Sequence, residues 1–307
     1  MQHPRTYRCA HVFGRAMAFV AMAYLYCPPL AAQSPECIAN HLRLGRASAL
    51  AEQGNYAPAL AVWDTALAHC RYALWYRIEA TEAALIHGDT ARAIGYLRGL
   101  YANGGAPMLS YSDPIKGLLA SGFHEPDLSY LHAAMDEWAT KADSTWIKAL
   151  IEMKELDQSH RVDDDLTRHN DSLNLERLIA LTEQRGFPTQ AMTGSSYGIV
   201  HLLLWHHRYE LGKNARLQYY CDLAQKEMAD CRIEPDFDVW LYDFDAWDEK
   251  RPMPYGTLIH YFRNRLDEVH LPDLATLNAN RATVGLGPIE EFARMMDIPF
   301  EALPIGR

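Results

Sequence analysis

Hydrophobic residues recur along most of the chain at the three- and four-residue spacing of an amphipathic helix, and no stretch alternates as a β-strand does. The most apolar segment after the N-terminus, residues 199–205, follows a Gly-x-Pro turn at residues 186–188 and ends at His206. It predicts a helix that begins near Ser195 and lies in the middle of a domain, because most of its circumference is apolar. The whole pattern predicts an all-α fold.

The remaining helices are predicted from the same spacing and from their flanking residues. Ser144 is a plausible N-cap for a long helix, and Gly186 suits the position just after a helix end. Glycine and proline interrupt residues 104–127, which we interpret as a junction. The predicted helices cover residues 128–142, 144–164, 171–184, 215–229 and 289–296.

Residues 37–103 contain two similar units, each with a glycine turn between two Ala- and Leu-rich helices. Gly54 and Gly88 are 34 residues apart, and Ala59, Trp63 and Ala66 recur at the same offset as Ala93, Leu97 and Leu100. A period of 34 residues is typical of tetratricopeptide repeats, and this segment resembles that family. Two units are fewer than such repeats need to stand alone, so we expect them to pack on the C-terminal part of the chain. An ordinary pair of helical hairpins is the alternative.

The N-terminus has the pattern of a secretory signal peptide. Arg5, Arg8 and Arg15 precede a short apolar run at residues 16–25, and small residues allow cleavage after Ala32. We therefore predict residues 1–32 to be a signal peptide and the protein to be exported, in the periplasm or outside the cell. An uncleaved N-terminal anchor is the alternative, although the run has about half the ~20 residues that a membrane span needs.

Four cysteines follow the predicted cleavage site, and an even number in an exported chain suggests two disulfides. We predict the pairs Cys37–Cys70 and Cys221–Cys231, because each pair falls within one local hairpin. The alternative is that they are buried free thiols. Their spacing matches no zinc site, so we predict no metal.

Composition excludes some functions and identifies none. A formal charge of −10 argues against nucleic acid as a partner. A hydrophobic content of 49% is that of a globular protein. No phosphate loop, dinucleotide fingerprint or nucleophile elbow is present, so we predict no cofactor.

Residues 147–296 contain eight spaced motifs. They are Asp157-Gln158-Ser159-His160-Arg161, Asn174, Gly186-Phe187-Pro188, Gly194, His206, Asp243, Tyr255-Gly256-Thr257 and Arg281-Ala282-Thr283-Val284-Gly285-Leu286. In these motifs and their order, this part of the chain resembles an uncharacterised family of bacterial helical domains that has no established activity. The chain departs from the family pattern where polar residues are usual, at Trp205, Phe244, Met253 and Leu258.

The motif residues have two interpretations. Asp157 and Arg161 are four residues apart and can pair on one helix face, either as a structural ion pair or as a carboxylate oriented toward a cleft that His206 shares. His206 is either a general base or a helix-terminal residue. The candidate binding residues are Asp157, Gln158, Arg161, His206, Asp243, Tyr255 and Arg281.

We predict three parts after the signal peptide: tetratricopeptide-like repeats at 33–105, a helical junction at 106–143 and an α-helical domain at 144–307. The function that we expect is a binding or scaffold protein acting through protein–protein interaction, through a peptide or protein bound by the repeats. The alternative is a hydrolase-type enzyme, which requires the candidate residues to meet in one cleft. The loss of polar residues at Trp205, Phe244 and Met253 favours binding.

Overall fold

The computed structural model describes residues 33–70, 72–120, 125–159, 161 and 164–306, which belong to one compact unit. The described residues contain no β-strand and a single isolated bridge between Leu271 and Ile305, so the predicted all-α class is confirmed. In this part of the chain no helix combines the length and apolar character needed to cross a bilayer. The predicted signal peptide, residues 1–32, lies outside the described residues.

The helices follow one another with short connections, and four 3-10 segments supplement them. The 3-10 segments are Ala106–Tyr111, Gly194–Tyr197, Leu266–Glu268 and Phe300–Ala302. The α-helices are α1 (Pro35–Glu52), α2 (Tyr56–Ala68), α3 (Leu74–His87), α4 (Thr90–Tyr101), α5 (Asp113–Ala120), α6 (Glu125–Lys141), α7 (Ser144–Gln158), α8 (Asp164–Arg185), α9 (Gln190–Thr193), α10 (Gly198–Trp205), α11 (Ala215–Ala229), α12 (Val239–Asp248), α13 (Leu274–Thr283) and α14 (Ile289–Met295).

The first four helices form two hairpins at the predicted positions. Gly54 and Gly88 make the turns with φ of 77° and 83°, a conformation that costs little only for glycine. The small Ala59 and the large Trp63 of α2 are fully buried, and Ala93 and Leu97 are buried in the same way in α4. The repeat positions are therefore core residues, Ala59, Trp63, Ala66 and Ala93 in one hydrophobic cluster and Leu97 and Leu100 in a second.

The boundaries of α7 and α8 differ from the prediction. The Asp143 carboxylate accepts hydrogen bonds from the Thr145 and Trp146 amides, both at 3.0 Å, so Asp143 and not Ser144 is the N-cap of α7. Helix α7 ends at Gln158, and α8 begins at Asp164, seven residues before the predicted start. The acidic Asp164 and Asp165 in the first turn of α8 favour a helix start there, since carboxylates stabilise helix N-termini.

The apolar segment around residue 200 lies in the main core, but less completely than the pattern suggests. Val200, Leu203 and Leu204 of α10 are buried against α7, α8 and α11. Ile199 and Leu202 are only partly buried and line a cavity. Gly186 follows the end of α8 with φ of 84°, as predicted, and its carbonyl accepts a hydrogen bond from the Trp146 indole at 3.2 Å.

Both predicted disulfide pairs are wrong. Cys37 of α1 forms a disulfide with Cys231, 194 residues away, with a Cα–Cα distance of 5.6 Å. Cys70 and Cys221 are buried free thiols. Cys221 lies on the inner face of α11 in the main core, whereas Cys231 follows the end of that helix and packs against the hairpin core. Tertiary packing across the chain therefore decides the pairing, and local spacing does not.

Candidate functional site

The seven candidate residues form two groups, and no hydrogen bond or ion pair between described residues joins one group to the other. We call the first the Asp157 cluster; it contains Asp157, Gln158, Arg161 and His206. We call the second the Asp243 cluster; it contains Asp243, Tyr255 and Arg281.

The Asp157 cluster surrounds a carboxylate in the last turn of α7 whose side chain is only 1% exposed. Asp157 Oδ1 pairs with Arg161, as the i,i+4 spacing predicted, and Oδ2 accepts a hydrogen bond from Gln158. His206 Nε2 lies 3.3 Å from Oδ2. Arg161 also bonds the Asp171 carboxylate of α8 at 2.9 Å. The cluster thus connects α7, the start of α8 and the end of α10.

Hydrogen bonds in this cluster favour an ionised Asp157. Burial acts to raise its pKa, but His206, Gln158 and the charge of Arg161 together lower the pKa below the ordinary value. A carboxylate with both oxygens occupied by protein partners is a structural anion, and it has little capacity left for a substrate. The geometry therefore matches the structural interpretation of the Asp157–Arg161 pair.

His207, which the motif analysis passed over, is more tightly held than its neighbour. It is 3% exposed, Nδ1 lies 2.9 Å from the Glu210 carboxylate, and Nε2 lies 3.2 Å from the Asp171 carbonyl. Burial lowers the pKa of His207, but Glu210 outweighs this effect and raises it above the ordinary value. The acidic partner three residues along the chain was the available sequence signal.

The Asp243 cluster holds a turn in place. Asp243 is fully buried, and its oxygens accept hydrogen bonds from the Tyr255 amide at 2.9 Å, the Thr257 amide at 2.6 Å and the Thr257 hydroxyl at 2.7 Å. Burial raises the pKa of Asp243 to about 6 against the opposing effect of these donors, so the carboxyl is ionised at neutral pH. The Tyr255-Gly256-Thr257 element is a buried turn organised by Asp243.

Arg281 binds backbone carbonyls from the other side of the turn. Its Nη1 donates to the Tyr255 carbonyl at 2.7 Å and its Nε to the Gly287 carbonyl at 2.6 Å. Burial lowers its pKa to about 10, so it stays charged at neutral pH. Arg281 therefore ties the C-terminal segment to the turn and has a structural role.

The four apolar residues that depart from the family pattern share one environment. Phe244, Met253 and Leu258 are buried in a single hydrophobic cluster of the C-terminal part, and Trp205 packs against it. Trp205 lies edge-on to Phe244 with ring centroids 5.0 Å apart. These four side chains contribute hydrophobic packing, and they contribute no polar group near the Asp157 cluster or the Asp243 cluster.

The cavities do not bring the candidate residues together. A cavity of about 640 Å³ between α7, α10 and the segment Ala106–Tyr111 is lined by Gln158 but by none of the other six candidates. A smaller one of about 170 Å³ is lined by Arg281 alone among the seven. The convergence that the hydrolase alternative requires is therefore not seen in these two cavities.

An ion pair between distant parts of the chain was missed by the sequence analysis. His41 of α1 is buried, and its Nε2 lies 3.3 Å from Asp236 Oδ1. Burial lowers the pKa of His41, but Asp236 outweighs this and raises it above the ordinary value. Close by, His201 Nε2 lies 3.1 Å from the Glu234 carboxylate. No spacing rule connects residues 195 positions apart, so only the tertiary structure shows this pair.

A groove between α1 and α3 was also missed; we call it the acidic groove. Its volume is about 310 Å³. Trp75 and Ile86, at its two ends on α3, are 52% and 61% exposed. The α3 residues 75, 79, 82 and 86 follow helical spacing, a signal that could have identified this face. The groove is lined by Ser48, Ala51, Glu52, Tyr56, Trp63, Trp75, Glu79, Glu82, Ala83 and Ile86.

Comparison of the chain with models of protein families, with curated proteins and with solved structures finds no match. The resemblances to tetratricopeptide repeats and to an uncharacterised helical domain family therefore stay predictions. In the part of the chain that the structure describes, no group of three or more His, Cys, Asp or Glu side chains is arranged to hold a metal ion.

Proposed function

We propose that this is an exported, helical binding protein that acts through protein–protein interaction, and that its N-terminal hairpins are tetratricopeptide-like units that pack on a C-terminal helical domain. One observation carries the proposal. Trp75 and Ile86, two large apolar side chains, are more than half exposed at the ends of one groove. Exposed apolar side chains grouped around a groove are typical of protein interaction sites.

The contacts around α1 support a rigid binding surface. The Cys37–Cys231 disulfide and the His41–Asp236 pair both connect α1 to residues just after α11. A groove whose wall is fixed in this way loses less conformational entropy when a partner binds. The disulfide also supports export, because disulfides persist in oxidising compartments.

The hydrogen bonds that the two candidate clusters make within the protein support binding over catalysis. The carboxylates of Asp157 and Asp243 accept hydrogen bonds from protein donors on both oxygens, and Arg281 donates to two backbone carbonyls. General acid–base chemistry needs a group within reach of the substrate.

A peptide-display selection on the purified protein tests the proposal. We expect enriched peptides whose affinity falls about 30-fold in the double variant Trp75→Ala/Ile86→Ser, since a central aromatic contact is worth about 2 kcal/mol or more. The matched control is Ile151→Ser, because Ile151 is 44% exposed and lines the cavity beside α10 instead. The proposal is wrong if no peptide is enriched, or if enriched peptides bind the groove variant and the wild type equally.

A further inference from the structure

The acidic groove carries three carboxylates and no basic residue among the described residues that line it. Glu52 belongs to α1, and Glu79 and Glu82 lie one turn apart on α3. From this groove we infer the class of partner: a peptide segment with a lysine or arginine side chain next to an apolar one, the cation lying among the three glutamates and the apolar side chain against Trp75. The inference depends on the proposed function and deepens it.

The charge in the groove is not compensated by the protein. None of the three glutamates forms an ion pair with a described residue. Glu79 is half-buried and accepts a hydrogen bond from the Ser48 hydroxyl. Burial raises its pKa against the opposing hydrogen bonds from Ser48 and Trp75, and the charges of Glu52 and Glu82 add smaller increases. A cation placed among these groups would remove a repulsion that the free protein retains.

The aromatic residues of the groove suit the same kind of segment. The exposed Trp75 offers an indole surface, which attracts ammonium and guanidinium groups as well as apolar side chains. Trp63 lines the groove, is fully buried, and its Nε1 has no hydrogen-bond partner among the described residues.

The lining favours an organic cation over a metal ion. Calcium takes six to eight oxygen ligands at about 2.3–2.6 Å, whereas the groove offers three carboxylates among six apolar or aromatic residues. A volume of about 310 Å³ accommodates one or two side chains of a partner. A basic and apolar peptide segment uses both the charge and the apolar surface.

The test measures how the charge preference of the groove changes when its charge is reversed. Peptides are selected on the wild type, and their affinities are measured by fluorescence anisotropy on Glu52→Lys/Glu82→Lys. We expect the selected peptides to contain lysine or arginine beside apolar residues, to bind the charge-reversed variant at least 10-fold more weakly, and to lose affinity as salt is raised. Selection on the variant should favour acidic peptides.

A matched control and a milder variant separate charge recognition from loss of folding. Asp267→Lys/Glu301→Lys makes the same charge change at exposed positions outside the groove and should leave affinity within about twofold. Glu79→Gln keeps the side-chain shape and should weaken binding about threefold to tenfold. Circular dichroism and thermal unfolding show whether each variant is folded.

The outcomes distinguish this inference from the proposed function. Peptides that depend on Trp75 but carry no positive charge, or that bind the charge-reversed variant unchanged, overturn the inference and leave the proposed function in place. Failure to enrich any Trp75-dependent peptide overturns both. If sedimentation shows that the wild type dimerises and Glu52→Lys/Glu82→Lys does not, the occupant is a second copy of this chain and the inferred partner is wrong.

Discussion

Replacing Asp157 by asparagine tests whether the Asp157 cluster is structural. The change keeps the shape of the side chain but removes the charge that Arg161 and His206 face. A hydrogen bond to a charged group contributes about 1.5–3 kcal/mol. Arg161 and His206 are 26% and 18% exposed, so solvent screens part of this interaction. We expect the free energy of unfolding to fall by about 2–3 kcal/mol.

The assay is equilibrium unfolding in urea, with a control on the same helix. Glu152 of α7 pairs with Arg177 of α8, but both side chains are more than 40% exposed. Exposed ion pairs contribute about 0–1 kcal/mol, so Glu152→Gln should lower the stability by less than about 1 kcal/mol. Both variants remove a carboxylate of α7 that pairs with an arginine, and the two carboxylates differ in burial.

The pH dependence gives a second measurement on the same variant. The pKa of Asp157 is lowered in the folded protein, so its contribution is present above the ordinary carboxyl pKa of about 4 and is lost as the pH falls through the lower, folded-state value. The stability difference between wild type and Asp157→Asn that comes from this charge should therefore be fully present at pH 5. It should shrink below about pH 4, where the wild-type carboxyl becomes protonated.

An Asp157→Asn variant that loses no stability would refute the structural interpretation of the Asp157 cluster. Removing a charged group that is held for binding or catalysis commonly leaves a protein unchanged or makes it more stable. If Asp157→Asn is as stable as the wild type or more stable, then the Asp157 cluster is not a structural network, and the functional interpretation of His206 regains support.

Three further predictions concern the disulfide, a turn and the buried ion pair. Cys231→Ser should lower the free energy of unfolding by about 4 kcal/mol, since loss of the disulfide opens a long loop. Cys221→Ala, which removes only a buried free thiol, should lower it by about 1 kcal/mol. Urea unfolding with and without reductant measures both effects. Gly88→Ala should cost about 1 kcal/mol because φ is positive there, measured by the shift in thermal midpoint. Because the pKa of His41 is raised in the folded protein, its ion pair with Asp236 stabilises the fold at low pH, and this stabilisation is lost once the pH rises through the folded-state pKa. Asp236→Asn should therefore lower the free energy of unfolding more at pH 6 than at pH 9.

Local features of the fold were predictable because they depend on neighbouring residues. The turns at Gly54 and Gly88 and the helix end before Gly186 follow from the ease with which glycine takes a positive φ. The N-cap of α7 was placed one residue late, because Ser144 and Asp143 are both good caps and only the geometry shows which side chain reaches the amides. The break between α7 and α8 was predicted at residues 165–170 but lies earlier, because α7 ends at Gln158 and the acidic Asp164 and Asp165 favour a helix start at Asp164.

Contacts between distant residues could not be predicted in this way. The spacing of Asp157 and Arg161 predicted their ion pair correctly, but no local rule identifies Asp171 as the second acid on that guanidinium. The disulfide pairing failed for the same reason, because Cys37 and Cys231 meet only through tertiary packing. The acidic groove was overlooked because glutamates on a helix are usually a solvated face, and only the structure shows an exposed tryptophan beside them.

The acidic groove has no basic side chain in its lining, although basic residues pair with acidic ones elsewhere in the described chain. Elsewhere in the described chain, several acidic residues on helix surfaces have basic partners, as Glu152 has Arg177 and Asp245 has Arg251. In the groove, by contrast, the donors to Glu79 are the Ser48 hydroxyl and the Trp75 side chain, and neither supplies a charge. The free protein therefore retains both a carboxylate repulsion and the exposed apolar surface of Trp75 at the same place. A basic and apolar partner segment relieves both at once, which neither a metal ion nor an uncharged ligand would do.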